Sequence, residues 1–176
     1  MINRVTALAS IALLTCSLTA SAQLAPGIGL YFDENATATV SGYEIMVPTQ
    51  AYICILQAEM MVSGAAFKLE VPINALAAGA VYPAGLAIGD IGQGVEVGLT
   101  TPIPGFSGVV LLTTLQIIVT SGEPAVLLVV AHPDYATPLV ADSLGNLFEA
   151  VGTGGTLTRG LPVGAATWSE LKTMFR

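Results

Sequence analysis

Few side chains in this sequence could carry catalysis. The single histidine, His132, stands in the segment AHPDY with Asp134 two residues on. An imidazole beside a carboxylate can serve as a base, but a serine hydrolase also needs a nucleophile on a sharp turn, and no Gly-x-Ser-x-Gly occurs. Twelve acidic residues could in principle supply the carboxylate pair of a glycoside hydrolase, whose members lie about 5–10 Å apart. The closest pair in sequence, Asp33 and Glu34, would point to opposite faces of a strand. No catalytic residue is therefore assigned, and His132 reads as a strand-end residue before Pro133.

Ligand chemistry leaves a short set of candidates. Calcium takes oxygen ligands and suits an acidic chain, and DSLGN supplies Asp142 and Asn146. That segment lacks the Asp-x-Asp-x-Asp-Gly spacing of a calcium loop, so an Asx turn in a hairpin is the simpler expectation. No other cofactor is implied. GDIGQG (89–94) does not match Gly-x-Gly-x-x-Gly and is not a phosphate cradle. Tyr31 and Asp33, in GLYFDE, are the candidate contacts for a binding partner. Tyr31, Phe32, Tyr43, Tyr52 and Tyr82 are scattered over different segments, which suits packing better than a sugar-stacking platform.

Compartment narrows these choices. The chain opens MINRVTALASIALLTCSLTASAQ: a basic Arg4, an apolar run over 5–14, then Ala20-Ser21-Ala22. That is the layout of a secretory signal peptide cleaved after residue 22, and the run is too broken by Thr and Ser to span a membrane. Cleavage removes Cys16, so Cys54 has no internal partner and is expected as a buried, unreactive thiol among Ile53, Ile55 and Leu56. One histidine and one cysteine cannot close a four-ligand zinc site. The expected location is extracellular or periplasmic, with cell-surface association compatible. The formal net charge is −7, and Lys68 is the only basic residue between positions 23 and 158. Nucleic-acid binding needs a basic face, which these residues cannot build. A small-molecule ligand is not indicated either.

Length and patterning define the scaffold. With 53% hydrophobic and 10% charged residues, 176 residues can bury a single core without disulfides. Nineteen Gly and ten Pro punctuate short apolar runs, as in an all-β protein. Strands are expected at 27–34, 36–43, 50–58, 63–72, 94–101, 108–120 and 125–132, with a hairpin over 137–152 and a closing GGTLTRG. SGAAFKLEVP (63–72) has the cleanest alternation: Phe67, Leu69 and Val71 on one face, Ala66, Lys68 and Glu70 on the other. Residues 73–85 are rich in Ala and Gly and read as a loop with at most a short helical turn. Four Ser-Gly pairs without a common period read as turns. VVLLTTLQIIV and AVLLVVAH are apolar on both faces, so they are either covered by other segments or form an interface. Thr167 with Glu170 makes a capping box for a short C-terminal helix at 167–176, whose Trp168, Leu171 and Phe175 share a face. The expected organisation is a signal peptide (1–22), a β domain (23–166) and that helix. Eight or nine strands without alternating helices imply an antiparallel two-sheet β-sandwich, of cohesin-like or immunoglobulin-like type.

The order of features over about 38–158 resembles the cohesin-like group of extracellular β-sandwiches. SGAAFKLEVP is similar to that group's Gly-led strand alternating Phe, Leu and Val. GFSGVVLLTTLQIIVT is similar to its L-x-T-L-x-(I/F)-x-V strand, and the DSLGN hairpin leads to GGTLT. The chain departs where cohesins continue into Tyr-Asp, since Val71-Pro72 stands there. The resemblance implies a non-catalytic module that binds a protein partner, associates with itself, or sits in a surface assembly. The alternative is a secreted carbohydrate-binding domain or a hydrolase using a carboxylate pair.

Overall fold

The structure is a computed structural model, described here for residues 25–159. Twelve strands and one 3-10 turn make up its regular structure: β1 (Gly27–Tyr31), β2 (Val40–Tyr43), β3 (Pro48–Leu56), β4 (Met61–Glu70), β5 (Ala75–Val81), β6 (Gly85–Asp90), β7 (Gly94–Pro104), β8 (Val109–Val119), β9 (Ala125–Val130), β10 (Leu139–Asp142), β11 (Leu147–Glu149) and β12 (Val151–Arg159), with the turn at Gly105–Ser107 between β7 and β8.

Two layers result. The back layer runs β5-β8-β3-β1, and the front layer runs β6-β7-β4-β9-β12-β2. The β10-β11 hairpin adds to the edge of β4 ahead of β9, so β4 pairs with β10 through residues 62–66 and with β9 through 68–70. Pairing is antiparallel except along β12, which runs parallel to β1 and to β2.

Alternation places the core between the layers. From the back come Ile28, Leu30, Ile53, Ile55, Val110, Leu112, Leu115 and Ile117; from the front, Phe67, Leu69, Val95, Val97, Leu127, Val129 and Leu157. The expected faces of β4 and β7 hold, with Phe67, Leu69, Val95 and Val97 buried.

The strand apolar on both faces, β8, has a local explanation. A bulge opposite Ile53 and Cys54 shifts its parity: Val110 and Leu112 face the core before it, Leu115, Ile117 and Val119 after it. Thr113 sits at the shift, fully buried, and its hydroxyl donates to the Val81 carbonyl at 2.8 Å. Outward-facing Val109 and Leu111 join Tyr31, Ala36, Tyr52, Leu56 and Cys54 in a second apolar cluster on the back surface. Cys54 is 0% exposed, as expected, but it lies in this outer cluster. Ile53 and Ile55 flank it in sequence and turn the other way into the main core, as neighbours in a strand must.

Several sequence expectations need correction. Residues 73–85 are not a loop: β5 pairs with β8 and β6 pairs with β7, raising the strand count from eight or nine to twelve. Ala and Gly carry little strand propensity, and here cross-strand hydrogen bonding overrides it. Two of the four Ser-Gly pairs, at 41–42 and 63–64, lie inside β2 and β4 and are not turns. Strand structure in 36–43 is confined to Val40–Tyr43. The helix expected at 167–176 and the signal peptide at 1–22 lie outside the described residues.

Burial pushes the Cys54 thiol up to about 12, with the Asp33 carboxylate adding to the effect. A thiol held neutral and enclosed does not react. A thiol reagent added to the folded protein near neutral pH is expected to leave Cys54 unmodified, and to modify it stoichiometrically after denaturation. Rapid labelling in the native state would contradict the burial.

Candidate functional site

The sequence candidates fall in three separate places. Tyr31 is buried in the back cluster with Ala36 and Cys54. Asp33 begins the loop that covers that cluster. Its carboxylate accepts hydrogen bonds from the Thr37 N–H and hydroxyl, both 2.8 Å, and from the Ala38 N–H at 2.5 Å. Those bonds, Ala38's foremost, hold its pKa below the ordinary carboxylate value. Asp142 and Asn146 close the β10-β11 hairpin. One Asp142 oxygen accepts from the N–H groups of Leu144 and Asn146 and the other from the Asn146 side-chain amide, each at 2.8 Å. This is the Asx geometry expected of DSLGN. His132 Nδ1 accepts the Asp134 N–H at 3.2 Å, which orients the lone pair there into the turn. The Asp134 carboxylate approaches the same nitrogen to 3.6 Å, within the same turn. The GDIGQG segment is the β6-β7 hairpin: Asp90 accepts from Gly92, and the Ile91 carbonyl accepts the Leu69 N–H.

A different surface stands out. On the outer side of β6, β7, β4 and the β10-β11 hairpin, strand register aligns two transverse rows. One row runs Leu86, Gly98, Gly64, Ala141, Leu147. The next runs Ile88, Glu96, Ala66, Leu139, Glu149. Paired residues in a sheet point to the same side, so each row has small residues in its middle and larger ones toward its ends. The outcome is a groove of about 480 Å³. Its floor is glycine and alanine, and one wall is formed by Leu86 and Ile88, 75% and 76% exposed. Leu147, 60% exposed, stands on the opposite side. The Gly64 floor position is closed to substitution, since a Cβ there would lie 2.6 Å from the Val97 carbonyl oxygen. The Gly98 position is open, with nothing within 4 Å of an added Cβ.

One polar feature marks the groove. The Tyr135 hydroxyl donates to Glu96 Oε1 at 3.0 Å, and that bond, with the charge behind it, raises the phenol's pKa. Tyr135 is set by the turn after His132, whose ring lies 5.5 Å from its own. His132 in turn packs against Gly94, where φ is +137° and a Cβ would meet the imidazole and Pro133. Among the described residues no three of His, Cys, Asp and Glu cluster as metal ligands, and no helix is long and apolar enough to cross a membrane.

Sequence reasoning missed this surface because its wall lies between the loop read at 73–85 and the strand expected at 94–101, in residues assigned to no strand. A signal was present: Leu86 and Ile88 alternate with Gly85, Ala87 and Gly89 in a stretch without charge from Val71 to Gly89.

No family model matches the chain, and no curated protein matches it in sequence. The fold is nevertheless cohesin-like. A non-cellulosomal cohesin from the archaeon Archaeoglobus fulgidus superposes with a TM-score of 0.56 at 14% identity, over 80% of this chain and 95% of that one. The cohesin module of a family 33 glycoside hydrolase from Clostridium perfringens gives 0.57 at 11% identity, over 77% and 98%. The third ScaB cohesin of R. flavefaciens, solved in complex with a group 1 dockerin, gives 0.53 at 12% identity, over 77% and 96%.

The hydrogen bonds around Asp142 and Asp33 generate a pH prediction. Both groups have folded-state pKa values below the ordinary 3.8. Their stabilisation is therefore present above the unfolded carboxylate pKa and is lost as pH falls through the folded value. The wild-type melting temperature should drop on acidification below about pH 4. The Asp33→Ala, Asp142→Ala double variant should melt lower at neutral pH and show a shallower acid decline. Parallel decline of the two proteins would contradict the assigned roles.

Proposed function

We propose that this chain is a secreted, non-catalytic protein-binding module, and that the groove over β6, β7, β4 and the β10-β11 hairpin receives its partner. The observation that carries the reading is the groove's construction: exposed branched side chains walling a glycine and alanine floor. Leaving Leu86, Ile88 and Leu147 in water is unfavourable, and an apolar surface of this kind marks an interaction site. The cohesin-like fold supports the reading, since similar structures include a cohesin solved with its dockerin. Export follows from the signal-peptide layout of residues 1–22. The acidic balance favours a neutral or cationic partner.

The Glu96 carboxylate lining this groove accepts the Tyr135 hydroxyl, and Glu149 stands at the far end of its row.

The test is affinity capture by the mature chain from the culture medium of its own source, with size-exclusion of the purified protein alongside. Wild type should retain a specific protein partner. Leu86→Asp with Ile88→Asp should lose it by placing two charges in the wall, and Gly98→Leu should lose it by filling the floor. Both variants should keep the wild-type circular dichroism, because the changed positions face solvent. Undiminished capture by both, or no partner in any arm together with a monomeric wild type, would refute the proposal.

A further inference from the structure

A second uncovered surface lies on the same layer, beyond the groove. The strand β9 is apolar on both sides. Its inward residues Ala125, Leu127 and Val129 belong to the core, while Val126 and Leu128 point outward at 51% and 44% exposure. Register extends this outward face across the neighbouring strands. Val126 pairs with Thr156, which pairs with Val40 on β2, itself 58% exposed. Leu128 pairs with Gly154 on one side and with Glu70 on the other. The side chains at these positions form an apolar row, low at Gly154, with an acid at its β4 end. A shallow depression of about 460 Å³ adjoins it, lined by Lys68, Glu70, Val71, Pro72, Val126 and Leu128.

The chain leaves the described residues beside this row. Arg159 is the last of them, three residues past Thr156, or about 10 Å along the strand. Residues 160–176 follow, and the sequence expectation for 167–176 is a helix with Trp168, Leu171 and Phe175 on one face. Positions i, i+3 and i+7 form one apolar stripe. Ten helical residues span about 15 Å. The row from β2 to β9 crosses two strand spacings, about 10 Å. The seven intervening residues extend to about 23 Å at most, enough to let the segment turn back onto the sheet. The charge around the row is mixed, with Glu70 and Lys68 at its β4 end and Arg159 at the end of β12, so the match is one of apolar stripe to apolar row.

We infer that the outer face of β9 and β12 is the docking site for the chain's own C-terminal segment, residues 167–176. The segment seals Val126, Leu128 and Val40 from water and leaves open the partner groove, which begins on β4, the strand next to β9. This inference is independent of the function proposed for the groove.

Trp168 is the only tryptophan, so its fluorescence reports the docking directly. The full mature chain should show blue-shifted emission and protection from acrylamide quenching, both unchanged on dilution. Val126→Asp with Leu128→Asp should shift the emission to the red and abolish the protection while the β-sheet circular dichroism is retained. Three outcomes would overturn the inference: a solvent-exposed tryptophan in the wild type, protection that survives in the double variant, or protection that disappears on dilution, which would assign the face to a second copy of the chain.

Discussion

The sandwich depends on the position of β12. A layered β protein must end its sheets somewhere, and every open edge presents unpaired N–H and C=O groups. Here the last described strand serves both layers. Residues 151–153 run parallel to β1 at the back, and 154–157 pair with β9 at the front. The crossing brings backbone close to backbone: a Cβ at Gly152 would collide with the Val129 carbonyl, and one at Gly155 would lie 2.6 Å from the Leu30 side chain. Glycine at these positions is a packing requirement, which explains why the segment Val151–Arg159 is so poor in side-chain volume. With β12 in place, the free edges fall to β5, β6, β2 and β11. The edge strands β5 and β6 are short and almost uncharged, and β6 carries the groove wall.

How legible this was in the sequence differed by strand, for physical reasons. Where one face meets the core and the other meets water, period-2 alternation survives, and β4 and β7 were readable down to the facing of Phe67, Leu69, Val95 and Val97. Where a bulge shifts the parity, alternation blurs into a continuous apolar run. In β8 that run conceals two correctly alternating halves joined at Thr113. Where residues are small, the signal fails altogether. ALAAGAV forms β5 because β8 offers it a ladder, a non-local fact that propensity cannot register.

The candidate site was hidden by the same logic working in reverse. Pattern reading assigns apolar residues of a strand to the inside. In β6 the large apolar residues Leu86 and Ile88 point outward, and the small Ala87 packs toward the core. A sheet face that must receive another surface needs this inversion: bulk at the margins and glycine or alanine in the middle. By contrast, the polar residues that drew attention in the sequence, Asp33, Asp142 and His132, organise the loops and turns that surround the sheets. Their short-range Asx and turn bonds fix the local backbone, which is what residues of these types do in turns.

The two outward apolar surfaces of the front layer therefore have different characters. The groove over β6, β7 and β4 is concave, floored by residues without side-chain bulk, and bordered by a fixed polar pair, Tyr135 and Glu96. A concave surface of this shape is complementary to a ridge and not to a flat face, and the Tyr135 hydroxyl fixes the Glu96 carboxylate at its border. The row over β9 and β12 is shallower and continuous with the strand that carries the chain onward. Proximity makes the second surface inexpensive to cover from within the same chain, because closing a short loop costs little entropy compared with bringing in a separate molecule. In this fold the strand β4 is the boundary between the two surfaces: Gly64 and Ala66 lie on the groove floor, and Glu70 ends the row over β9.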